Sequence, residues 1–331
     1  MNPHVDRKKY ALQIILLALI TITAFSNIMQ NQFVWDDNNL ITENSYVKDL
    51  RSIPYFFTAH YWNNSHPGSR GGYRPVFMAT LALDYHIWGG KAFGFHLTSM
   101  LLHLANVILV FFLVTLLMKG SVPREWFCEA PFIAALLFAV HPVHVESVTY
   151  IKNRGDLLAC VFFLIALIIF IRNIPRRGLR ANAAAFSGSI FCLFIALLSK
   201  EIAVTLPLIL LLYCAYALPA RERLTAAFKT LPYFGATALY MIVKFPFLAG
   251  ETISGRSQSI GVYSHALVVL KTFAYYLSIM ISPINLNAER RIPVPKTFFA
   301  PGILWSFALF AAIIAIIMIS RKRGKLFGFA L

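Results

Sequence analysis

Charge is scarce in this 331-residue chain: Asp, Glu, Lys and Arg make up 13% of it against 58% hydrophobic residues, with a mean hydropathy of +0.66. That balance excludes a soluble globular domain. Short segments of alternating polarity are missing too, which excludes a transmembrane barrel. Uninterrupted apolar runs such as residues 157–171 call for helices, which satisfy their own backbone groups in lipid. No nucleic-acid motif accompanies the net charge of +16, so a nucleic-acid partner is not expected. Cysteine is rare. Cys128, Cys160, Cys192 and Cys214 have no paired spacing and read as small buried hydrophobes. No period-matched repeat is present, and the apolar run 10–28 lacks a small-residue cleavage pattern, so a retained first helix is expected rather than a cleaved signal.

The basic residues that are present sit in short loops beside apolar spans: Arg7, Lys8 and Lys9; Arg172, Arg176, Arg177 and Arg180; Arg221, Arg223 and Lys229; Arg321, Lys322, Arg323 and Lys325. This bias predicts a cytoplasmic amino terminus and those loops inside. Helices are expected over residues 10–28, 92–118, 131–148, 157–171, 182–198, 202–218 and 231–247, each long and apolar enough for a bilayer core of about 30 Å. Residues 266–281 are placed along the external interface, because counting them as a crossing would put Arg321 to Lys325 outside. Residues 303–320 then form the last inward helix. The expected fold class is an all-α polytopic membrane protein with one membrane domain over residues 1–331. Residues 327–331 read as the start of a further span, so the domain is expected to continue beyond the carboxy terminus.

Residues 29–91 form a long external loop, too long for a simple connector. Its spaced apolar residues, Phe56, Phe57, Phe77, Leu81, Tyr85 and Trp88 among them, predict short amphipathic interfacial helices over 47–59 and 75–88. With this threading, VWDD (Val34 to Asp37), YRP (Tyr73 to Pro75), HPVHVES (His141 to Ser147), NRGD (Asn153 to Asp156) and SKE (Ser199 to Glu201) fall on one face of the membrane.

Asp36 and Asp37 follow the first helix behind Phe33 and Trp35, a partly desolvated setting that raises basicity. A carboxylate there could take a proton from an acceptor hydroxyl or bind a divalent cation; the alternative is an Asx turn or helix cap. Arg74, Arg154 and Lys200 come from distant segments to one depth and together could clamp a phosphate or pyrophosphate, with snorkelling to headgroups as the plainer role for each alone. Cations on that face ask for counter-ions such as Asp156 or Glu201. His141, His144 and Glu146 end the third helix and suit a polar pocket rim or helix packing better than a metal site, which lacks a further well-spaced ligand. His96 and His103 read as packed groups. Arg256, Glu289, Arg290 and Arg291 are possible additions, and Asn63 to Ser65 fits the N-glycosylation pattern.

Four segments in order, VWDDNNLITEN, YRPVFMATLALDYHIWGGKAFGFHLTSMLLH, HPVHVESVTYIKNRGDLLA and SKEIAVTLPLILLLY, resemble the membrane portion of the transmembrane and tetratricopeptide-repeat O-mannosyltransferases and their bacterial relatives, over roughly residues 25–215. The resemblance implies a GT-C-like helical bundle. It also implies an inverting glycosyltransferase that uses a polyprenyl-phosphate-linked hexose, mannose in the family, at the external face. Carried over by position, it makes Asp36 the catalytic carboxylate with Asp37 beside it. Arg74, Arg154 and Lys200 become the neutralisers of the departing lipid phosphate, and the histidine motif shapes the pocket. The chain departs from the family in reading KNRGD at residues 152–156, and no tetratricopeptide repeats lie within it.

The expected partners are therefore a polyprenyl-phosphate sugar donor, a protein or glycan acceptor hydroxyl, and membrane lipid. No cofactor is required, a divalent cation being the one candidate. A transporter or flippase of lipid-linked sugars would use the same groups as a path, yet the mid-span positions of the third to seventh helices are almost entirely apolar. A non-catalytic scaffold would leave the acidic pair dispensable. Compact loops favour a bacterial inner membrane, with the endoplasmic reticulum membrane as the alternative.

Overall fold

The computed structural model describes residues 3–58, 61–62, 72–118, 129–174, 179–248, 261–287, 293–295 and 297–320. Cys128, Asn63 to Ser65, Arg256 and Glu289 to Arg291 lie outside these. Every regular element among the described residues is helical. In chain order they are α1 (Pro3–Phe25), α2 (Pro75–Trp88), α3 (Ala92–Met118), α4 (Ala130–Val140), α5 (Val145–Thr149), α6 (Arg154–Asn173), α7 (Leu179–Ser199), α8 (Leu206–Tyr216), α9 (Ala220–Phe228), α10 (Leu231–Leu248), α11 (Val262–Ile281) and α12 (Pro301–Ser320). Short 3-10 turns and one π turn, Asn38–Thr42, link them.

Lys8–Gln30, Ala92–Met118, Ile151–Asn173 and Val262–Ile281 are long and apolar enough to cross a membrane. The protein is a multi-pass membrane protein. At 1.5 Å per residue, the 27 residues of α3 extend about 40 Å, more than a hydrocarbon core. Along α1, Leu12, Ile15 and Leu19 are exposed while Leu17 is fully buried, the pattern of a helix with one face in lipid and one in the bundle.

The structure redraws two expected elements and gives the extent of another. The third helix is not continuous over 131–148: it breaks at His141 and Pro142, and its two parts are bent by 47°. Proline has no N–H to continue the ladder, so the break falls where the sequence places it. The sixth helix opens with a 3-10 turn, Glu201–Thr205, before α8 begins with a proline in its first turn. Residues 266–281 are part of one 20-residue helix, α11, with the length and composition of a span.

The described part of the long loop is folded. Tyr61 is fully buried, stacks edge-on with Tyr46, Phe56 and Trp62, and its hydroxyl accepts from Asn44 Nδ2 at 3.0 Å. The Trp62 indole donates to the Phe56 carbonyl at 2.7 Å. Over Leu50–Phe57 the expected amphipathic helix is a 3-10 segment, capped by Asp49, whose side chain accepts the Arg51 N–H at 2.9 Å. α2 starts with Pro75 at its first position and stops at Gly89, whose φ of 61° lies in the left-handed region that suits glycine. It buries Phe77, Met78, Leu81 and Asp84, and it packs on α3, α6 and α7 within the bundle.

The described residues fall into two compact units, one within Met1–Val140 and His144–Glu251, the other within His141–Val143 and Thr252–Leu331. In the first, α6 and α7 form the most extensive helix pair, closed by Leu167, Phe170, Leu193 and Leu197. In the second, α11 and α12 pack together, with the Phe273 and Phe310 rings stacked at 5.4 Å.

Candidate active site

The site begins in the turn after α1. The Asp37 N–H donates to the Val34 carbonyl at 3.0 Å, which makes Val34 to Asp37 a tight turn. Trp35 occupies its first central position with φ 50°, a left-handed conformation that bulky residues rarely adopt. The turn sends the two acids in different directions. Asp37 is fully buried, and it accepts the Lys152 N–H at 2.9 Å and the Val34 N–H at 3.4 Å. Burial pushes its carboxyl up to about 6 despite those bonds. Asp36 keeps 47% of its side chain exposed and pairs with the Lys152 ammonium. That pair, aided by the Tyr150 hydroxyl, holds the Asp36 carboxyl below its usual range. Lys152 therefore grips both acids, one through its side chain and one through its backbone.

Lys152 lies one residue pair before α6, and the first turn of α6 carries the rest. Arg154 is fully buried: its Nη1 lies 2.7 Å from Asp84 Oδ2, its Nη2 donates to the Phe95 carbonyl at 2.7 Å, and its Nε donates to Ser99 Oγ at 3.3 Å. Asp84 also accepts from Thr98 at 2.8 Å. Asp156 pairs with Lys200 Nζ at 2.6 Å. The next residue, Glu201, receives a two-pronged bond from Arg74, Nη2 to Oε1 at 2.8 Å and Nε to Oε2 at 3.1 Å, and lies 3.6 Å from Lys244 Nζ.

Gly155 makes this junction possible. A Cβ there would stand 3.0 Å from the Ser199 carbonyl, a tight contact that glycine spares where α6 starts beside the end of α7. Two short segments, residues 152–156 and 199–201, thus connect the VWDD, YRP, NRGD and SKE motifs at one end of the first unit. Arg74 and Lys200 are partly exposed. Arg154 differs from the expected phosphate clamp: its guanidinium is enclosed in protein and its charge is met by Asp84, so its contacts make it a strut between α6, α3 and α2.

The residues of the histidine motif have separate surroundings. His144 packs against Phe138 with ring centroids at 4.3 Å and against His103 at 5.3 Å. His103, buried, lies with Nε2 3.0 Å from the Ala139 carbonyl. Glu146 accepts from Asn153 Nδ2 at 2.8 Å, at the NRGD end of the site. His141 belongs to the second unit, its Nδ1 accepting from Val143 N–H at 3.2 Å and its Nε2 lying 3.0 Å from the Met280 carbonyl. Among the described residues no three of His, Cys, Asp and Glu are grouped as metal ligands would be. Cys214 is buried and Cys160 and Cys192 partly so, all three as free thiols.

Sequence reasoning missed Lys152, Asp84 and Lys244. Asp84 and Lys244 each carried a signal, a lone charge within an apolar run. Lys152 carried none beyond its place beside NRGD.

The human protein O-mannosyl-transferase TMTC2 is 31% identical over 187 residues, 56% of this chain and 22% of that protein. Human TMTC4 is 30% identical over 203 residues, 58% of this chain and 27% of its own length. Tmtc2 of Drosophila melanogaster is 32% identical over 199 residues, 59% of this chain and 20% of the fly protein. The chain is similar to protein O-mannosyl-transferases. It spans about a quarter or less of the length of these relatives. No family profile matches it, and no solved structure does.

Proposed function

We propose that this protein is an integral-membrane glycosyltransferase that moves a hexose, mannose by similarity, from a polyprenyl-phosphate donor to a hydroxyl of a protein or glycan, with inversion, at the external membrane face. One observation carries the reading: a half-exposed carboxylate, Asp36, is held in a strained turn and joined through residues 152–156 and 199–201 to the cations Lys200, Arg74 and Lys244. Inverting transfer needs those two features, a base for the acceptor proton and positive charge for the oxygen that leaves.

In this reading Asp36 is ionised at neutral pH and takes the acceptor proton, while Asp37 anchors the turn from below. The donor phosphate sits against Lys200 and Arg74, whose carboxylate partners yield part of their hold to it. Arg154 fixes the first turn of α6. His144 and Glu146 shape the rim near Asn153, and membrane lipid surrounds the bundle. A cytoplasmic amino terminus fits the loop charges, and the compact loops favour a bacterial inner membrane over the endoplasmic reticulum membrane.

The test is transfer from polyprenyl-phosphate mannose in membranes holding the wild type, Asp36→Asn or Lys200→Ala. Loss of turnover in Asp36→Asn with normal expression and membrane insertion is expected. Undiminished transfer in both variants rejects the site. Consumption of donor without appearance of a glycosylated product, or transbilayer movement of intact donor, assigns the chain to the transporter class instead.

A further inference from the structure

Trp35 stands out from the other aromatic residues of the loop. Tyr61 and Trp62 are buried in the loop's own core, whereas Trp35 is 66% exposed. It sits immediately before Asp36 and holds φ 50° at a turn position where glycine, asparagine or aspartate is the usual occupant. A bulky residue kept in that conformation, when glycine would relieve it, points to a use for the side chain. The indole is also fixed in orientation: Tyr150 meets it edge-on, with ring centroids at 5.4 Å and planes at 90°. Tyr150 in turn lies two residues before Lys152, whose ammonium pairs with Asp36. One ring, one carboxylate and one ammonium are thus locked into a single cluster, with the ring as its open wall.

An indole face carries negative quadrupole charge and prefers weakly positive hydrogens laid flat upon it. A hexopyranose presents such a surface, since its axial C–H bonds make one face of the ring apolar while its hydroxyls point outward. A membrane-anchoring tryptophan instead needs only its apolar bulk and N–H at headgroup level, with no fixed partner and no carboxylate beside it. We propose that Trp35 is the platform on which the transferred hexose stacks, setting the sugar ring beside Asp36, with Tyr150 as the residue that holds the indole in place. This inference rests on the glycosyltransferase reading above and names the sugar contact of that site.

The experiment measures equilibrium binding to the full-length chain in lipid nanodiscs. The probes are citronellyl-phosphoryl-mannose and citronellyl phosphate, which share lipid and phosphate and differ in the sugar. Trp35→Ala and Trp35→Leu should each lose about tenfold in affinity for the mannosylated lipid, Trp35→Phe should keep most of it, and citronellyl phosphate should bind all four proteins alike. Tyr150→Ala, which removes the edge-on ring, should weaken binding of the mannosylated lipid as well. If Trp35→Leu retains wild-type affinity for the mannosylated lipid, or weakens both probes equally, the platform is overturned while the donor site stands. If the wild type binds neither probe, the glycosyltransferase reading fails and the platform with it.

Discussion

Arg154 and Asp84 face each other at 2.7 Å with their side chains almost wholly out of solvent, Arg154 at 0% and Asp84 at 6% exposure. Removing one member of a buried pair leaves the other charge unmet, a loss of about 3–5 kcal/mol. Arg154→Met and Asp84→Leu are each expected to lower thermal stability sharply. The double variant should lose less than the sum of the two, because it removes both charges. Size-exclusion profiles after heating the detergent-solubilised variants give the comparison; additive losses would reject the pair as a coupled unit.

Asp37 gives the molecule a pH dependence of defined sign. Its folded-state pKa, about 6, lies above the ordinary carboxyl value of 3.8, so between those values the folded chain binds more proton than the unfolded one. Stability from this group is therefore full below about pH 4, falls as pH rises through 6, and stays at the lower level above. The whole effect is at most about 3 kcal/mol. Asp37→Asn keeps an acceptor for the Lys152 N–H and should flatten the melting temperature across that window. Asp36, whose carboxyl is held down, contributes in the opposite sense, with stability lost as pH falls below its ordinary value.

Gly155→Ala should damage the site without touching a charge. The added Cβ would press on the Ser199 carbonyl at 3.0 Å, and backbone cannot swing aside as a side chain can. About 1–3 kcal/mol of stability should go, and the Asp156 to Lys200 contact should shift. Transfer activity is expected to fall further than the melting temperature alone accounts for, whereas Gly90→Ala, which meets nothing within 4 Å, serves as the neutral control.

Lys200 and Arg74 should separate from Arg154 in kinetics. If donor phosphate charge rests on the first two, Lys200→Ala lowers kcat by about a hundredfold in protein that melts near the wild-type temperature. Arg154→Lys keeps the charge but cannot bond Asp84, Phe95 and Ser99 at once, so its main loss should be in stability. Melting curves measured beside initial rates decide between the two patterns.

The helical class, the extents of α3 and α6, and the meeting of the VWDD, NRGD and SKE segments were legible in the sequence, because apolar length and loop charge are strong signals in membrane chains. The inner architecture of the site was not. Charge bias groups Arg154 with the other motifs but cannot tell a guanidinium that faces solvent from one that closes on Asp84. That depends on how α2 packs, and α2 reads as an interfacial helix until its burial of Phe77, Leu81 and Asp84 is seen. Lys152 was equally hidden, since half of its hold on the acids is a backbone N–H, which any residue type supplies. The break at Pro142 had its cause in plain view, yet the apolar residues on both sides of it suggested one unbroken span.

Because Lys152 clasps Asp36 and Asp37 while Asp156, four residues on, clasps Lys200, the acidic pair and the Lys200 ammonium are held by one short stretch of chain. A tilt of α6 re-aims both together and leaves their mutual spacing nearly constant. Lipid thickness or a neighbouring helix pressing on the apolar length of α6 would then act on both groups in a single movement rather than loosening either alone.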